Sequence, residues 1–581
     1  MVVTGGSGRL VRVNGPLVEV EGLDGVAVAD VIEVGEAHLA AEVVAVGQGH
    51  LRAQVYEYTG GLRVGDPVTT LGRPLTARLG PGLLGGVFDG LLHPLVGRGD
   101  WLAPGAHGDG APQRRWRFTP GAPLGSTVAP GSPLGTIATA VGIDHRVLVP
   151  TGTIGVIEWL ADGELSEDHT VAVIGGQEVG LLEHWPVRTP RPTRDRLPLS
   201  VPLLTGQRVV DLLFPVAKGG TAAVPGGFGT GKTVLLQQLV KWCAADVVVF
   251  VGCGERGNEL ADALTELEAL EDPRTGRRLL ERTVVLANTS NMPVMAREAS
   301  IYTGMTVAEY YRDMGYDVLL VADSTSRWAE ALREFASRSG ELPAEEGFPA
   351  GLASALAAFY ERAGRVRTLS GEEGSVTAIG AVSPPGGDMT EPVTMHTERF
   401  VRCLWSLDRD LAYARHYPAV TWQRSFSRDA DAVGAWHASA GRPGWSRGQA
   451  RAVSVLAEAD RLTPMVELVG LQALPPPERV TLLAGRLLRE AVLQQSALSP
   501  NDQTSSPAKE AALLDLVLNL YDRALALLER GVPASALEEL DLSAVTRARD
   551  EISPDDADGV ERRGDEVLAL LDSLAPPEQR S

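Results

Sequence analysis

Apolar and polar positions follow three successive patterns along the chain. From residue 1 to 70, short stretches alternate with a period of two: Arg9–Val13, Leu17–Glu21, Val31–Val34, Leu39–Val46 and Leu51–Val55. Asn14-Gly15, Asp24-Gly25 and Gly47-x-Gly49 separate them. Period-two runs broken by turn residues predict a small N-terminal β-barrel. Residues 71–110 are rich in Gly and Pro and predict a connector. Over 111–190 short strands return at Thr136–Val141, Arg146–Val149, Gly152–Trp159 and Thr170–Ile174, predicting a β-rich insertion. From 195 to 430 the runs Thr221–Val224, Asp246–Gly252, Thr283–Ala287, Val318–Ala322 and Val376–Val382 alternate with helical stretches. That alternation predicts a largely parallel sheet covered by helices. From 431 to 581 the spacing is helical, at Gln449–Leu462, Pro477–Gln495 and Ala508–Glu529. After Ala534 the periodicity weakens, and small helices with a mobile tail are expected.

Length and charge narrow the classes. A chain of 581 residues has room for several domains, and 44% apolar with 22% charged residues is ordinary for a globular protein. The net charge of −21 argues against a nucleic-acid partner, whose phosphates need a basic surface. The basic run Gln113–Arg117 is isolated. Cys243, Cys253 and Cys403 form neither a disulfide framework nor a CxxC metal site, which fits a reducing compartment. The start, MVVTGGSGRL, lacks the basic and apolar regions of a signal peptide. No run of about 18 apolar residues is present, so other chains would have to hold this one at a membrane.

The strongest chemistry lies in Val224-Pro-Gly-Gly-Phe-Gly-Thr-Gly-Lys-Thr-Val234, which contains Gly226-x-x-x-x-Gly231-Lys232-Thr233. This is the spacing of a phosphate-binding P-loop between a strand and a helix. Its glycines let backbone N–H groups form an anion nest, and the helix N-terminus adds free donors and a favourable dipole. Gly226, Gly227, Phe228, Gly229, Thr230, Gly231, Lys232, Thr233 and Val234 are the expected nucleotide contacts, with Lys232 reaching the phosphates and Thr233 binding Mg²⁺. Asp317–Asp323 is an apolar strand ending in a carboxylate, so Asp323 would support Mg²⁺ directly or through water. Glu255, expected just past the strand Asp246–Gly252, is the candidate that activates the attacking water. Arg256 would hold the γ-phosphate or keep Glu255 ionised; a plain loop ion pair is the alternative. Ser383-Pro-Pro-Gly-Gly-Asp388 makes a stiff corner that either meets a moving partner or is a surface turn. Phe426 would stack on adenine or belong to the core.

Together these stretches resemble the catalytic A-subunit family of the V-type and A-type rotary ATPases. The matching blocks are Pro202–Asp211, Phe214–Thr221, the P-loop, Gly252–Glu259, Asn288–Pro293, Ala322–Arg333, Tyr360–Arg365 and Ser383–Asp388. The resemblance implies an N-terminal barrel, a bulge insertion, a RecA-like nucleotide-binding domain and a C-terminal helical domain. It also implies Mg²⁺ with ATP or ADP as ligand, and catalytic roles for Lys232, Glu255, Arg256 and Asp323. Implied partners are non-catalytic B subunits alternating with this chain in an A3B3 ring, an arginine finger supplied by them in trans, central and peripheral stalks, and a membrane sector moving H⁺ or Na⁺. The implied place is the cytoplasmic face of a membrane, with the chain bound peripherally.

Two departures fall at the adenine end. Ser425-Phe-Ser427 runs into Arg428-Asp-Ala, and Gln494-Gln-Ser-Ala-Leu498 carries an aliphatic where the family has a ring. Thr230 stands where some relatives carry Cys. The competing readings are a non-catalytic or regulatory ring component, which the divergent 428–507 region keeps open, and a hexameric nucleic-acid translocase, which the acidic charge and the insertion disfavour.

Overall fold

The computed structural model describes residues 7–96, 105, 114–139 and 142–575. The expected connector at 97–104 and 106–110, the edges of the expected barrel and insertion at 1–6 and 111–113, the strand end at 140–141 and the tail at 576–581 lie outside the described residues. The chain divides into two compact units, Met1–Pro198 with Ala245–Pro384 and Asp388–Phe400, and Leu199–Ala244 with Pro385–Gly387 and Val401–Ser581.

The first unit begins with a closed barrel of six strands, Ser7–Asn14, Leu17–Glu21, Asp30–Val34, Leu39–Val46, His50–Val55 and Pro67–Pro74. The inward positions of the alternating runs, among them Leu10, Val18, Val20, Ile32, Val34, Val43 and Val55, fill its core. Each such side chain contributes roughly 1.5–3 kcal/mol on burial. The sixth strand was not legible, because in Pro-Val-Thr-Thr-Leu-Gly-Arg-Pro only Val68 is buried. It pairs with both Ser7–Asn14 and Asp30–Val34 and carries the barrel past residue 70.

The stretch expected as a connector also holds strands. Thr76–Leu79 pairs with Glu183–Pro186, and Val87–Phe88 lies parallel to Thr283–Thr289. Strands this short carry no periodicity of their own, and their partners are a hundred or more residues away. The insertion forms two antiparallel four-stranded sheets around Phe118, Leu134, Ile137, Ile157, Val171 and Ile174.

The rest of the first unit is a parallel sheet. Glu373–Val382, Asp317–Asp323, Val247–Glu255, Thr283–Thr289 and Val87–Phe88 lie in that order. Val247–Cys253 is buried at every position, which is why the sequence reads as a continuous apolar run there. The helix Val294–Asp313 packs on this sheet and is buried almost throughout, charged residues included. Its carboxylates are paired, Glu298 with Arg188 at 2.7 Å and Glu309 with Arg362 at 2.6 Å, while Arg297 donates to the Ser290 carbonyl at 3.2 Å. Buried charges left unpaired would be strongly destabilising.

In the second unit the strand Thr221–Pro225 lies parallel to Cys403–Leu404, which pairs antiparallel with Phe426–Ser427. The fully buried Arg208 ties the segment before that strand to the helical region. Its guanidinium donates to the Val492 and Gln494 carbonyls and to Asp502, each at 2.6 Å. The long helices are Trp445–Val469, Pro476–Leu487 and Pro507–Glu529. From Ala534 to Ala575 the region forms the expected helices, the last of them longer than expected. Its last helix, Ala557–Asp572, buries Val560, Gly564, Val567 and Leu571 and packs on Pro507–Glu529. Four buried positions at helical spacing, one of them a glycine, stand among many charges. They give a weak signal in sequence and a sufficient one in packing.

Candidate active site

The expected residues fall in both units: Gly226–Val234 and Phe426 in the second, Glu255, Arg256 and Asp323 in the first. The phosphate loop follows from its chain. Thr221–Pro225 is wholly buried and fixes the entry. Gly231 caps the helix Lys232–Trp242 at φ 82°, and no side chain caps its first turn. The first-turn N–H groups therefore stay available to an anion. A Cβ on Gly227 would lie 3.0 Å from the Arg409 guanidinium, and one on Gly231 would lie 3.0 Å from the Tyr417 ring. Both approaches are tight, and Gly231 also needs the left-handed backbone that glycine adopts without strain. The Thr230 hydroxyl donates to the Gly227 carbonyl at 2.8 Å and pins the loop, and Lys232 Nζ donates to the Gly226 carbonyl at 3.4 Å. Thr233 is exposed at the helix start, and Phe228 is 94% exposed at the loop tip.

Arg409 is a residue that motif spacing missed. It opens a short helix capped by Asp408, whose carboxylate accepts from the Asp410 and Leu411 amides. Nothing local in the sequence signals that this cation lies against Gly227. Phe426 is half-buried in its strand, with the Arg428 guanidinium 5.5 Å over its ring. Leu498 is 95% exposed, whereas nearby Gln495 is buried, donating to Gly206 O at 2.8 Å and accepting from the Arg208 amide at 2.9 Å.

In the first unit the carboxylates sit at the ends of adjacent strands. Gly252 is in register with Asp323, and a register shift between Cys253 and Glu255 follows. Glu255 is thus the last residue of its strand rather than a residue beyond it. The shift centres on Gly254, at φ 74°, where a Cβ would stand 2.7 Å from the Arg327 Cβ. Glycine is required there both for the left-handed backbone and for the close approach. Asp323 is 8% exposed. The Glu255 carboxyl is pushed up to about 7, first by burial and then by the charge of Asp323; Arg327 and a hydrogen bond from Ser324 oppose the shift.

The Arg256 side chain is 72% exposed and pairs with Glu259 at 3.5 Å, the loop ion pair that is its alternative reading. The cation that lowers the Glu255 carboxyl is Arg327, which also holds Glu330 at 2.9 Å. Sequence reasoning missed Arg327 because its influence depends on the turn at Gly254. The corner after Val382 is tied down by the Ser383 amide, which donates to the Ser326 hydroxyl at 2.8 Å.

The chain can be compared with known proteins on this basis. Residues 206–427 match the nucleotide-binding domain of the ATP synthase alpha/beta family, and residues 10–72 match its β-barrel domain. Residues 111–188 match the barrel-sandwich domain of the same alpha/beta chains, and 434–537 match the C-terminal domain of V and A type ATP synthase. The V-type ATP synthase alpha chain of Anaeromyxobacter dehalogenans is 52% identical, over 93% of this chain and 94% of its own length. The corresponding chain of Nitrosococcus oceani is 50% identical over 93% of each. The A subunit of the A-type ATP synthase of Thermococcus onnurineus is 48% identical, over 92% of this chain and 93% of its own. Among solved structures, the assembled ATPase EscN of the enteropathogenic E. coli type III secretion system shares the fold, with a TM-score of 0.63 at 23% identity, over 88% of this chain and 100% of that one.

Proposed function

Because the chain belongs to the ATP synthase alpha/beta family, in the branch of V-type alpha chains and A-type A subunits, we propose a division of labour among its residues. The chain is the catalytic A subunit of a V/A-type ATP synthase, an ATPase that uses Mg-nucleotide and assembles with other subunits of that machine. Gly226–Thr233 binds the phosphates: the backbone N–H groups and Lys232 neutralise their charge, and Thr233 ligates Mg²⁺. Asp323 supports the metal. Glu255 orients the attacking water and takes its proton as the bond from the γ-phosphorus to the bridging oxygen breaks and ADP leaves. Arg256, exposed and held only by a surface ion pair, is free to swing onto the γ-phosphate. Phe426 stacks on adenine.

We place this chain in a ring alternating with non-catalytic B subunits, each supplying an arginine finger in trans, on central and peripheral stalks. Hydrolysis or synthesis is then coupled to H⁺ or Na⁺ movement through a membrane sector built by other chains. Among the described residues no helix is long and apolar enough to cross a membrane. The chain would sit peripherally on the cytoplasmic face.

The observation that carries the catalytic reading, against a regulatory one, is the placement of two carboxylates, Glu255 and Asp323, at the ends of adjacent strands, with the Glu255 carboxyl raised to about 7. A group that must take a proton works best with its pKa near the working pH. The active form is the carboxylate, so activity is lost as pH falls through that value. The pH profile of kcat/KM for ATP hydrolysis by the assembled ring is expected to show an acidic limb near pH 7. A limb at the ordinary glutamate position, near 4.5, would separate Glu255 from the proton transfer.

A further inference from the structure

The first unit contains a cavity of about 320 Å³ whose wall is arginine-rich. Arg274-Thr-Gly-Arg-Arg-Leu-Leu-Glu-Arg282 places four arginines and one carboxylate in a short run, in a chain of net charge −21. All four arginines line the cavity. The turn that presents them is built by Asp272, a residue 2% exposed. Its carboxylate accepts from the Arg274 amide at 3.1 Å and the Thr275 hydroxyl at 3.3 Å. It also pairs with Arg282 at 3.3 Å and Arg274 at 3.5 Å. The Asp272 amide donates to the Arg277 carbonyl at 2.6 Å, and Glu271 bridges to Arg278, closing a small hairpin.

The carboxylates of Asp246, Asp272 and Glu281 share this wall, and the charges on it are unevenly matched. Arg282 is 3% exposed and donates to the Ala245 carbonyl at 3.0 Å, so it is fixed in place. Asp272 is committed to the turn, and Asp246 accepts the Asp317 amide at 2.9 Å. Arg277 and Arg278 are exposed, and among the described residues neither guanidinium has a carboxylate partner. Two guanidinium forks without a carboxylate partner, on an ordered turn lining a cavity of small-molecule size, offer the charge and the paired donors that a phosphate group takes.

We propose that Arg274, Arg277 and Arg278 form an additional anion site in the first unit, one that takes the phosphate group of a small ligand. Arg277 and Arg278 make the direct contacts, and Arg274, which shares Asp272 with the buried Arg282, adds charge beside them. The phosphate can belong to free phosphate or pyrophosphate, or to a nucleotide.

Equilibrium dialysis of the full-length chain carrying Lys232→Ala, which weakens the phosphate loop, separates this site from the nucleotide site. Pyrophosphate is expected to bind that variant saturably. Adding Arg277→Ala and Arg278→Ala is expected to weaken binding at least tenfold, as lost charge-assisted hydrogen bonds would, with the thermal unfolding midpoint unmoved. ADP binding that is tighter than pyrophosphate and is weakened to the same degree by Arg277→Ala and Arg278→Ala identifies a nucleotide as the ligand; ADP binding that these two substitutions leave unchanged belongs to the phosphate loop and identifies a free phosphate compound. Absence of saturable binding of either ligand at millimolar concentration, or unchanged affinity in the triple variant, overturns the proposal.

Discussion

Glu255→Gln in a ring assembled with the non-catalytic partner is expected to abolish steady-state ATP hydrolysis while nucleotide binding persists. The amide keeps the shape of the side chain and a hydrogen-bonding oxygen for water, but it cannot take a proton at neutral pH. A positioned general base contributes about a hundredfold to ten-thousandfold in rate, about 2.7–5.5 kcal/mol of barrier. The substitution also removes the carboxyl group that lies beside Asp323 and repels its charge. Mg-ATP affinity is therefore expected to hold or rise. Turnover comes from a coupled ATPase assay and occupancy from bound ATP and ADP after rapid filtration. Near-normal turnover in this variant would remove the role assigned to Glu255.

Lys232→Ala acts at the other end of the reaction. Its ammonium group bonds the Gly226 carbonyl at 3.4 Å, folded over the loop whose N–H groups face an anion. Replacing it removes a full charge from phosphate recognition and frees that carbonyl. A charge-assisted hydrogen bond contributes roughly 1.5–3 kcal/mol, so nucleotide affinity is expected to fall about ten- to hundredfold. The residue is only partly buried, and the fold is expected to survive. Unchanged ATP affinity in a direct titration would remove the phosphate-loop assignment. The two variants separate binding from chemistry: one loses affinity, the other turnover.

What could be read from the sequence follows from how local each determinant is. The phosphate loop was legible because strand, glycines, Lys232 and helix are contiguous, and the nest depends on backbone geometry alone. The apolar runs of the parallel sheet were legible because a strand buried on both faces has no alternation to disguise it. Glu255 was identifiable as a carboxylate near a strand end, but its position within the strand was not. The register shift at Gly254 lengthens the strand, and only the neighbouring strand shows it.

Arg327 escaped notice for the same reason. It exerts its charge on Glu255 across 72 residues of sequence, through a close approach that Gly254 permits. The sixth barrel strand and Val87–Phe88 draw their stability from partners rather than from their own patterns. The last helix, Ala557–Asp572, carries its apolar stripe among acidic and basic residues that mask it. Arg256 is adjacent to Glu255 in sequence, but its pairing is set by the helix it precedes: in β-conformation at the helix start, its side chain meets Glu259.

The central claim is that this chain supplies the catalytic carboxylate and phosphate loop, and that a partner completes the site. ATP hydrolysis by the chain alone, then mixed with its B-type partner at equal concentration, tests it most directly. An arginine finger in trans contributes about a thousandfold or more to turnover. Hydrolysis is expected to be near background for the chain alone and to rise by at least that order on mixing. Full activity in the isolated chain, or no activity in the assembled mixture, would contradict the account.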